Sequence, residues 1–341
     1  MILMISGCDG TGKSTLVKAL SEKLGWENKH FDKPKNLEDG KEQYFNFAKT
    51  MNDQPHKNII CDRLHDGEWV YAPLYRGYKG NYMREFEREI TKNHNFLFVY
   101  VKASLDTIID RTRKRGEDFV KEEHFQTVLD SFEEYLNEQA LPFIVIDTTN
   151  SNTDEDVERI INAMNKVDKI WNCVREGDCP DAILKNVQPR GNVESEIMIV
   201  AQNPGGRGNG EYSTIWADGP NSDFVLSAIQ EAGIFNNSWF TNLVPYPTED
   251  NKITKEQIEA TEHILYAQIE LLRPKILIGL GSFSSDYLNK NFGKVIKVIK
   301  QQHPAYVKRF LSGNKNNHKK YVEIFSEAKT IIEENEDGKS K

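Results

Sequence analysis

Two successive α/β units, each built on a parallel sheet, are the fold class this sequence predicts, and three observations predict it. Short apolar runs alternate with amphipathic stretches of helical length through the first 150 residues. A polar stretch, Thr148–Asp156 (TTNSNTDED), then interrupts the alternation, which restarts after Lys169. Strands separated by helix-length segments pair in parallel through right-handed crossovers, and a chain of 341 residues agrees with two domains.

In the first unit the expected strands are Ile2–Ser6, Asn58–Asp62, Asn95–Val101 and Pro142–Asp147, each short and apolar. Helical patterns cover Ser14–Leu24 and Glu122–Leu136, and the acidic end of the polar stretch caps a helix at Val157–Val167 that closes the unit. In the second unit Glu196–Ala201, Ser238–Val244, Lys275–Gly281 and Lys294–Lys300 read as strands. Asp223–Ala232 and Lys255–Leu272 read as helices, the latter stopped by Pro274. The expected boundaries are 1–167, 168–333 and a charged, frayed tail at 334–341. The halves show no internal repeat.

Composition narrows the function class. A hydrophobic fraction of 38% with 28% charged residues describes an ordinary globular protein. No apolar run reaches the roughly 18 residues that span a bilayer, and MILMISGCDG lacks the basic leader of a signal peptide and reads as a buried strand. A net charge of −8 gives no global field for a nucleic acid backbone, although local basic patches leave DNA binding open. Cys8, Cys61, Cys173 and Cys179 are too few for a secreted disulfide scaffold, so a cytoplasmic location is expected.

The first strand runs into Gly7-Cys8-Asp9-Gly10-Thr11-Gly12-Lys13-Ser14-Thr15, the pattern G-x-x-x-x-G-K-[ST] between a strand and a helix. Glycines let backbone amides curl around an anion, and the following helix terminus adds its dipole. Gly7, Gly10, Thr11, Gly12, Lys13, Ser14 and Thr15 are therefore the expected ATP-binding set. Lys13 reaches toward the β- and γ-phosphates, and the Ser14 hydroxyl toward Mg²⁺. The motif is silent about the acceptor.

A second strand, NIICD, ends in Asp62-Arg63 and continues as LHDGEWVYAPLYRG. Here the sequence resembles thymidylate and deoxynucleoside kinases, especially those carried by DNA phages. On that resemblance Asp9 contacts the acceptor sugar, Asp62 holds Mg²⁺ or orients the acceptor, and Arg63 neutralises the acceptor phosphate. Arg76 in LYRG, and Phe31 with Lys33 in HFDKPK, are expected to contact the phosphate and base of the acceptor. Arg111 and Arg115 share one helical face before Gly116, as a kinase lid requires, and are expected to clamp ATP phosphates. The resemblance covers residues 1–150 and implies a phosphotransferase using ATP and Mg²⁺, in an assembly that in thymidylate-type kinases is often a homodimer.

In the second unit, Gln202-Asn203-Pro204-Gly205-Gly206 follows one strand, Thr241-Asn242-Leu243-Val244-Pro245 closes another, Gly281-Ser282 ends a third, and Gln302-His303-Pro304-Ala305 comes last. In this order the motifs resemble the uracil-DNA glycosylase superfamily over roughly residues 170–330. The resemblance implies that Asn203 positions an attacking water, Asn242 reads a pyrimidine edge and His303 donates to a base oxygen. Trp216 or Tyr212 would stack on an extruded base. An amide suits a uracil-like edge because it offers both a donor and an acceptor. Cys173 and Cys179 alone do not make the four-cysteine set of the iron–sulfur branch, so no such cluster is expected. Ala201 stands where that family usually has glycine and Arg207 follows a doubled glycine, which leaves base excision and mere base binding both open.

Three functions stay open on sequence alone. One is a kinase for a deoxypyrimidine nucleotide such as dTMP or a 5-substituted dUMP, with the second unit a separate activity or a pyrimidine sensor. Another is a DNA kinase that phosphorylates 5-hydroxymethyluracil flipped out by the glycosylase-like unit. The last is an ATP-switched DNA glycosylase.

Overall fold

The computed structural model describes all residues except 92, 117–119, 177–188, 207–211, 214–219, 249–251, 311–314 and 338–341. Two compact units divide the chain, Met1–Asp168 and Lys169–Lys341.

The first unit carries five parallel strands in the order β5-β4-β1-β3-β2: β1 Ile2–Ser6, β2 Glu27–His30, β3 Ile59–Asp62, β4 Phe96–Lys102 and β5 Pro142–Asp147. All of β1 is buried, as both-faced packing in a parallel sheet demands. Its register aligns Ile2 with Ile59 on one side and with Phe96 on the other. The carboxyl ends of β1, β3 and β5 therefore gather at one edge, where open α/β sheets bind ligands. The edge strand β2 (ENKH) is exposed at every position, so no apolar pattern announces it.

Between the strands lie α1 Lys13–Leu24, α2 Leu37–Asn52, the short α3 Asp66–Val70 and α4 Ala72–Tyr75, and α5 Met83–Ile90; after β4 come α6 Leu105–Arg115 and α7 Phe125–Glu138. Local chemistry sets their starts. Asn36 caps α2 by accepting the Asp39 amide at 3.0 Å, and Ser104 caps α6 by accepting the Thr107 amide. The helix expected at Val157–Val167 runs longer, as α8 Thr153–Glu176.

On the buried face of α5, Glu87 lies 3.2 Å from Nε2 of the fully buried His65. It also accepts the Tyr135 hydroxyl at 3.2 Å and the Ala140 amide at 3.0 Å. Burial alone raises a carboxyl pKa, but His65 and the Ala140 amide together outweigh it and hold Glu87 below 4.5. A carboxylate depressed on folding contributes stability above its unfolded pKa and loses it as pH falls through the folded value. Glu87→Gln should therefore lower the stability of the first unit at pH 7 by about 2 kcal/mol. The gap to wild type should close as melting is followed below about pH 4.5. A gap that stays constant from pH 7 to pH 3 would assign the loss to packing alone.

The second unit has a sheet of order β12-β11-β7-β10-β6, from β6 Arg190–Asn192, β7 Ile197–Ala201, β10 Ser238–Asn242, β11 Ile276–Leu280 and β12 Lys297–Gln301. Four strands are parallel; β6, which has no sequence signature, joins β10 antiparallel with Gly191 opposite Trp239. Gly191 takes φ +119, and a Cβ there would meet the Ser238 carbonyl at 2.3 Å, so only glycine allows this approach. A two-stranded ribbon pairs β8 Gly205–Gly206 with β9 Tyr212–Ser213.

The helices of this unit are α9 Pro220–Glu231, α10 Lys255–Leu272, α11 Ser282–Phe292, α12 Pro304–Phe310 and α13 Lys315–Asp337. A full capping box between Thr254 and Gln257 starts α10. The frayed tail expected from 334 is instead helical through Asp337, because Tyr321, Phe325, Ala328 and Ile332 bury one face of α13. Among the described residues no helix is long and apolar enough to cross a membrane.

Candidate functional site

The phosphate loop takes the shape its glycines permit. Gly10 and Gly12 adopt φ +80 and +88, and a Cβ on Gly7 would lie 2.0 Å from the Val101 carbonyl. Gly12 caps α1 without any side-chain hydrogen bond, and the first turn carries no acid, so the helix amides face an open cleft. Thr11 is buried and donates to the Cys8 carbonyl at 2.7 Å. Lys13 is buried too, with Nζ 2.6 Å from the same carbonyl. Burial, and then the Arg63 charge, pull its pKa down to about 8. Burial pushes the neighbouring Cys8 thiol up to about 12, which leaves it inert.

Three clefts adjoin at this edge. One of about 190 Å³ is lined by Asp9, Lys13, Ser14, Thr15, Asp62 and Arg115, together with His30 and Arg63. A larger one of about 350 Å³ lies beyond Gly10 and Gly12, between Leu16, Arg111, Thr148 and Asp156. The third, about 120 Å³, is enclosed by Phe31, Asp32, Lys33, Tyr44, Glu68, Tyr71 and Arg76, again with His30 and Arg63. The first suits a polyphosphate and the second the remainder of a nucleotide. The third shares no lining residue with the second and suits an acceptor. Among the described residues, only His30 and Arg63 line both the polyphosphate cleft and the acceptor cleft.

Arg63 owes its place to the backbone: it takes φ +64 and its amide donates to the Ile5 carbonyl at 2.9 Å. Its guanidinium pairs with Asp9 at 2.5 Å and lies 5.5 Å from the centre of the Tyr71 ring. Asp9 in turn accepts the Val120 amide at 3.3 Å, beside the segment after α6. Asp62 is partly exposed, with Oδ2 3.3 Å from His30 Nδ1. Arg76 faces the acceptor cleft already paired: it donates to the fully buried Glu68, whose other oxygen accepts the Tyr78 hydroxyl at 2.6 Å. Burial raises the pKa of Glu68. Phe31 packs edge-on against Phe47 and tilts against Tyr44, forming wall as well as contact.

The two lid arginines occupy different places. Arg115 borders both the polyphosphate cleft and the larger cleft beside it. Arg111 donates to the Gly10 carbonyl at 3.3 Å and to the hydroxyl and carbonyl of Thr148 at 3.0 and 2.7 Å. The Thr148 hydroxyl itself donates to the Thr11 carbonyl at 2.7 Å. Arg111 and Thr148 thus brace the phosphate loop from the end of β5.

Sequence reasoning passed over His30, Asp32, Glu68, Tyr71 and Thr148. The first two arrive on the end of the unseen edge strand, while Glu68 and Tyr71 lie inside the quoted LHDGEWVYAPLYRG run, in and just after a helix too short to show a period.

A Mg²⁺ ion fits the donor set. Among the described residues no cluster of three or more His, Cys, Asp or Glu would cage a metal unaided. The exposed Ser14 hydroxyl and the Asp62 carboxylate face one cleft. Magnesium takes one or two protein oxygens, with phosphate oxygens and water completing its octahedron.

In the second unit Asn203 and Asn242 sit at the ends of neighbouring strands. Asn242 pairs in register with Ala201, and the Val244 amide donates to the Gln202 carbonyl at 3.0 Å. Asn203 is buried; its amide donates to Pro204 and to Thr248 at 3.1 Å each, and its oxygen accepts from Gln202 at 3.2 Å. Asn242 is also buried, and its Oδ1 has no hydrogen-bond partner among the described residues. Nδ1 of His303 accepts the Ala305 amide at 3.2 Å, which leaves the proton of the neutral ring on Nε2. Gly281 lies against the His303 Cβ. Trp216 lies outside the described residues, as does the side chain of Tyr212. From 287 to 322 the chain carries nine lysines and arginines and no acid, against a whole-chain charge of −8. Tyr306 and Phe283, two exposed aromatics, flank His303 and Gly281 in sequence.

Residues 188–328 match the family model described as the uracil DNA glycosylase superfamily. An uncharacterized SPbeta prophage-derived protein of Bacillus subtilis (strain 168), YorR, is 25% identical over 166 residues, which is 47% of this chain and 96% of that protein. Its crystal structure in complex with phosphorylated GDP aligns over 48% of this chain and 96% of its own, with a TM-score of 0.42 and 24% identity. A deoxyadenosine kinase from M. mycoides aligns over 48% of this chain and 99% of its own, at 25% identity and a TM-score of 0.36. The DNA polymerase of Bacillus phage SP01 is 28% identical over 110 residues, which is 31% of this chain but only 12% of that polymerase.

Proposed function

We propose that residues 1–168 transfer the γ-phosphoryl group of ATP to a hydroxyl of a deoxypyrimidine nucleoside or nucleotide, and that the second unit binds a uracil-like base. The observation that carries this reading is the pair of clefts meeting at Arg63 and His30, one with a phosphate loop and the other without.

Pairing of the two acceptor-side arginines favours a hydroxyl over a phosphate as the attacking group. Arg63 is neutralised by Asp9 and Arg76 by Glu68, whereas a phosphate acceptor calls for unpaired cations. Asp32 supplies a carboxylate on that wall, while Asp62 lies on the polyphosphate side. In the step, the acceptor oxygen attacks the γ-phosphorus, its proton passes to Asp32, and the bond from γ-phosphorus to the bridging oxygen breaks to leave ADP. Lys13, Arg115 and the loop amides hold the phosphate oxygens while charge redistributes. Ser14 and Asp62 are the residues that would hold Mg²⁺, which would supply neutralisation of the phosphate charge when bound. At the far end of the acceptor cleft, Glu68 and Arg76 offer an acceptor and a donor to a base edge.

A second reading places the acceptor hydroxyl on a 5-hydroxymethyl base in DNA. The unpartnered Asn242 oxygen, the Nε2 proton of His303 and the acid-free stretch 287–322 favour it, since a flipped base needs edge-reading groups and its strand needs cations.

The test is the full-length protein with γ-labelled ATP and Mg²⁺, offered in parallel thymidine, dTMP, 5-hydroxymethyl-dUMP and duplex DNA containing 5-hydroxymethyluracil. Label recovered as a new phosphomonoester on a hydroxyl is the expected result, and its appearance on DNA alone would select the second reading. Label found solely as the diphosphate of dTMP would overturn the hydroxyl assignment. Failure to consume ATP with any acceptor would overturn the kinase.

A further inference from the structure

We infer that Asp66 is a positioning residue for phosphoryl transfer: it fixes the left-handed turn that sets Arg63 between the two clefts, and ties that turn to the root of the phosphate loop. The inference rests on the kinase reading above and on the place it gives Arg63.

Asp66 is fully buried and both carboxylate oxygens are engaged. Oδ1 accepts the Leu64 amide at 3.0 Å, and Oδ2 accepts the hydroxyl of Ser6. An aspartate serving its own helix accepts amides that follow it; this one reaches back to the residue just after Arg63. Arg63 at φ +64 is in a region that side-chain-bearing residues avoid, and such a conformation persists only where surroundings over-determine it. Two hydrogen bonds supply that constraint here: Arg63 N–H to Ile5, and Leu64 N–H to Asp66.

The second oxygen gives the arrangement its purpose. Ser6 is fully buried and immediately precedes Gly7, so the Ser6–Asp66 bond joins the start of the phosphate loop to the Arg63 turn. Tyr71 makes a parallel tie, its hydroxyl donating to the Gly7 carbonyl at 3.2 Å while its ring lies near the Arg63 guanidinium. Nothing in phosphate binding or in the acceptor cleft requires Asp66 to touch a substrate. Its effect passes through Arg63.

A double-mutant cycle on the full-length protein tests this by kcat and KM for ATP in wild type, Asp66→Ala, Arg63→Ala and the combined variant. Asp66→Ala should lower kcat about 10- to 100-fold with KM changed less than about threefold, and in the Arg63→Ala background it should change kcat by less than about threefold. Asp66→Asn keeps the shape and serves the same cycle should the alanine variant fail to fold. Ser6→Ala should reproduce part of the loss. A kcat loss repeated in full without Arg63 would overturn the inference, as would an unchanged kcat in a folded Asp66→Ala protein. If Arg63→Ala itself keeps wild-type kcat, the site reading underneath is what has failed, and the inference falls with it.

Discussion

Lys13→Ala is expected to lower kcat/KM for ATP-dependent phosphoryl transfer by about 1,000-fold, the upper end of what one preorganised charge supplies. The expectation follows from where the ammonium sits. It is buried, within 2.6 Å of the Cys8 carbonyl, at the end of the phosphate loop. Burial and the charge of Arg63 both disfavour the charged form, which is why its pKa falls to about 8 in the free protein. The free enzyme therefore holds an ammonium in a place that suits it poorly, and a triphosphate relieves the mismatch. Removing that charge should leave melting unchanged or raise it slightly while transfer collapses, the pattern of a group kept for function against stability. Steady-state rates with saturating acceptor, alongside a thermal melt of the same preparation, read both quantities. Transfer within tenfold of wild type would mean that the loop binds nucleotide without acting on it.

What the sequence disclosed follows from burial. Strands β1, β4 and β5 were legible as short apolar runs because a parallel sheet buries both of their faces. The phosphate loop was legible because its glycines are required one by one by positive φ or by a backbone neighbour. Edge strand β2 was not, since ENKH carries no apolar residue, and with it went His30 and Asp32, which its end delivers to the site. Glu68 hid for another reason. A glutamate in DGEWVY ordinarily faces water, and only three-dimensional neighbours, Arg76 and Tyr78, show it to be fully buried. In the second unit β6 is three residues long and held by the glycine-lined approach to β10, a tertiary feature with no local pattern. Helix α13 did carry a readable stripe at Tyr321, Phe325, Ala328 and Ile332, masked by its charged end.

The amides of the second unit show how far motif reading reaches into chemistry. Asn203 and Asn242 arise from similar short motifs, yet their side chains are in opposite states. Asn203 is satisfied within the protein by Gln202, Pro204 and Thr248, whereas the Asn242 oxygen is left without a partner in a buried position. A buried unpaired carbonyl is costly, typically about 1–3 kcal/mol, and a ligand donor such as a pyrimidine N–H would recover that. On the proposed reading, base recognition would rest more on Asn242 than on Asn203, whose engaged oxygen would favour holding a base over activating a water.

Arg111→Ala should raise KM for ATP by about 10- to 100-fold while kcat at saturation stays within about threefold of wild type. A lid arginine that clamps phosphates in the transition state would give the reverse, a fall in kcat. The distinction comes from its partners. Three hydrogen bonds, to the Gly10 carbonyl and to both oxygens of Thr148, occupy the Arg111 guanidinium, and Thr148 passes the support on to the Thr11 carbonyl. Without it, Gly10 and Thr11 lose the brace that holds their peptide units in register, and the loop must pay ordering entropy when nucleotide binds. Once bound, the triphosphate restores the loop, so chemistry proceeds. Arg115, which borders the polyphosphate directly, should behave in the opposite way, with Arg115→Ala losing kcat first. Measuring both variants over a full range of ATP concentration separates brace from clamp on neighbouring turns of one helix. If Arg111→Ala loses kcat and keeps KM, its side chain must leave Thr148 for the phosphates when the site is filled.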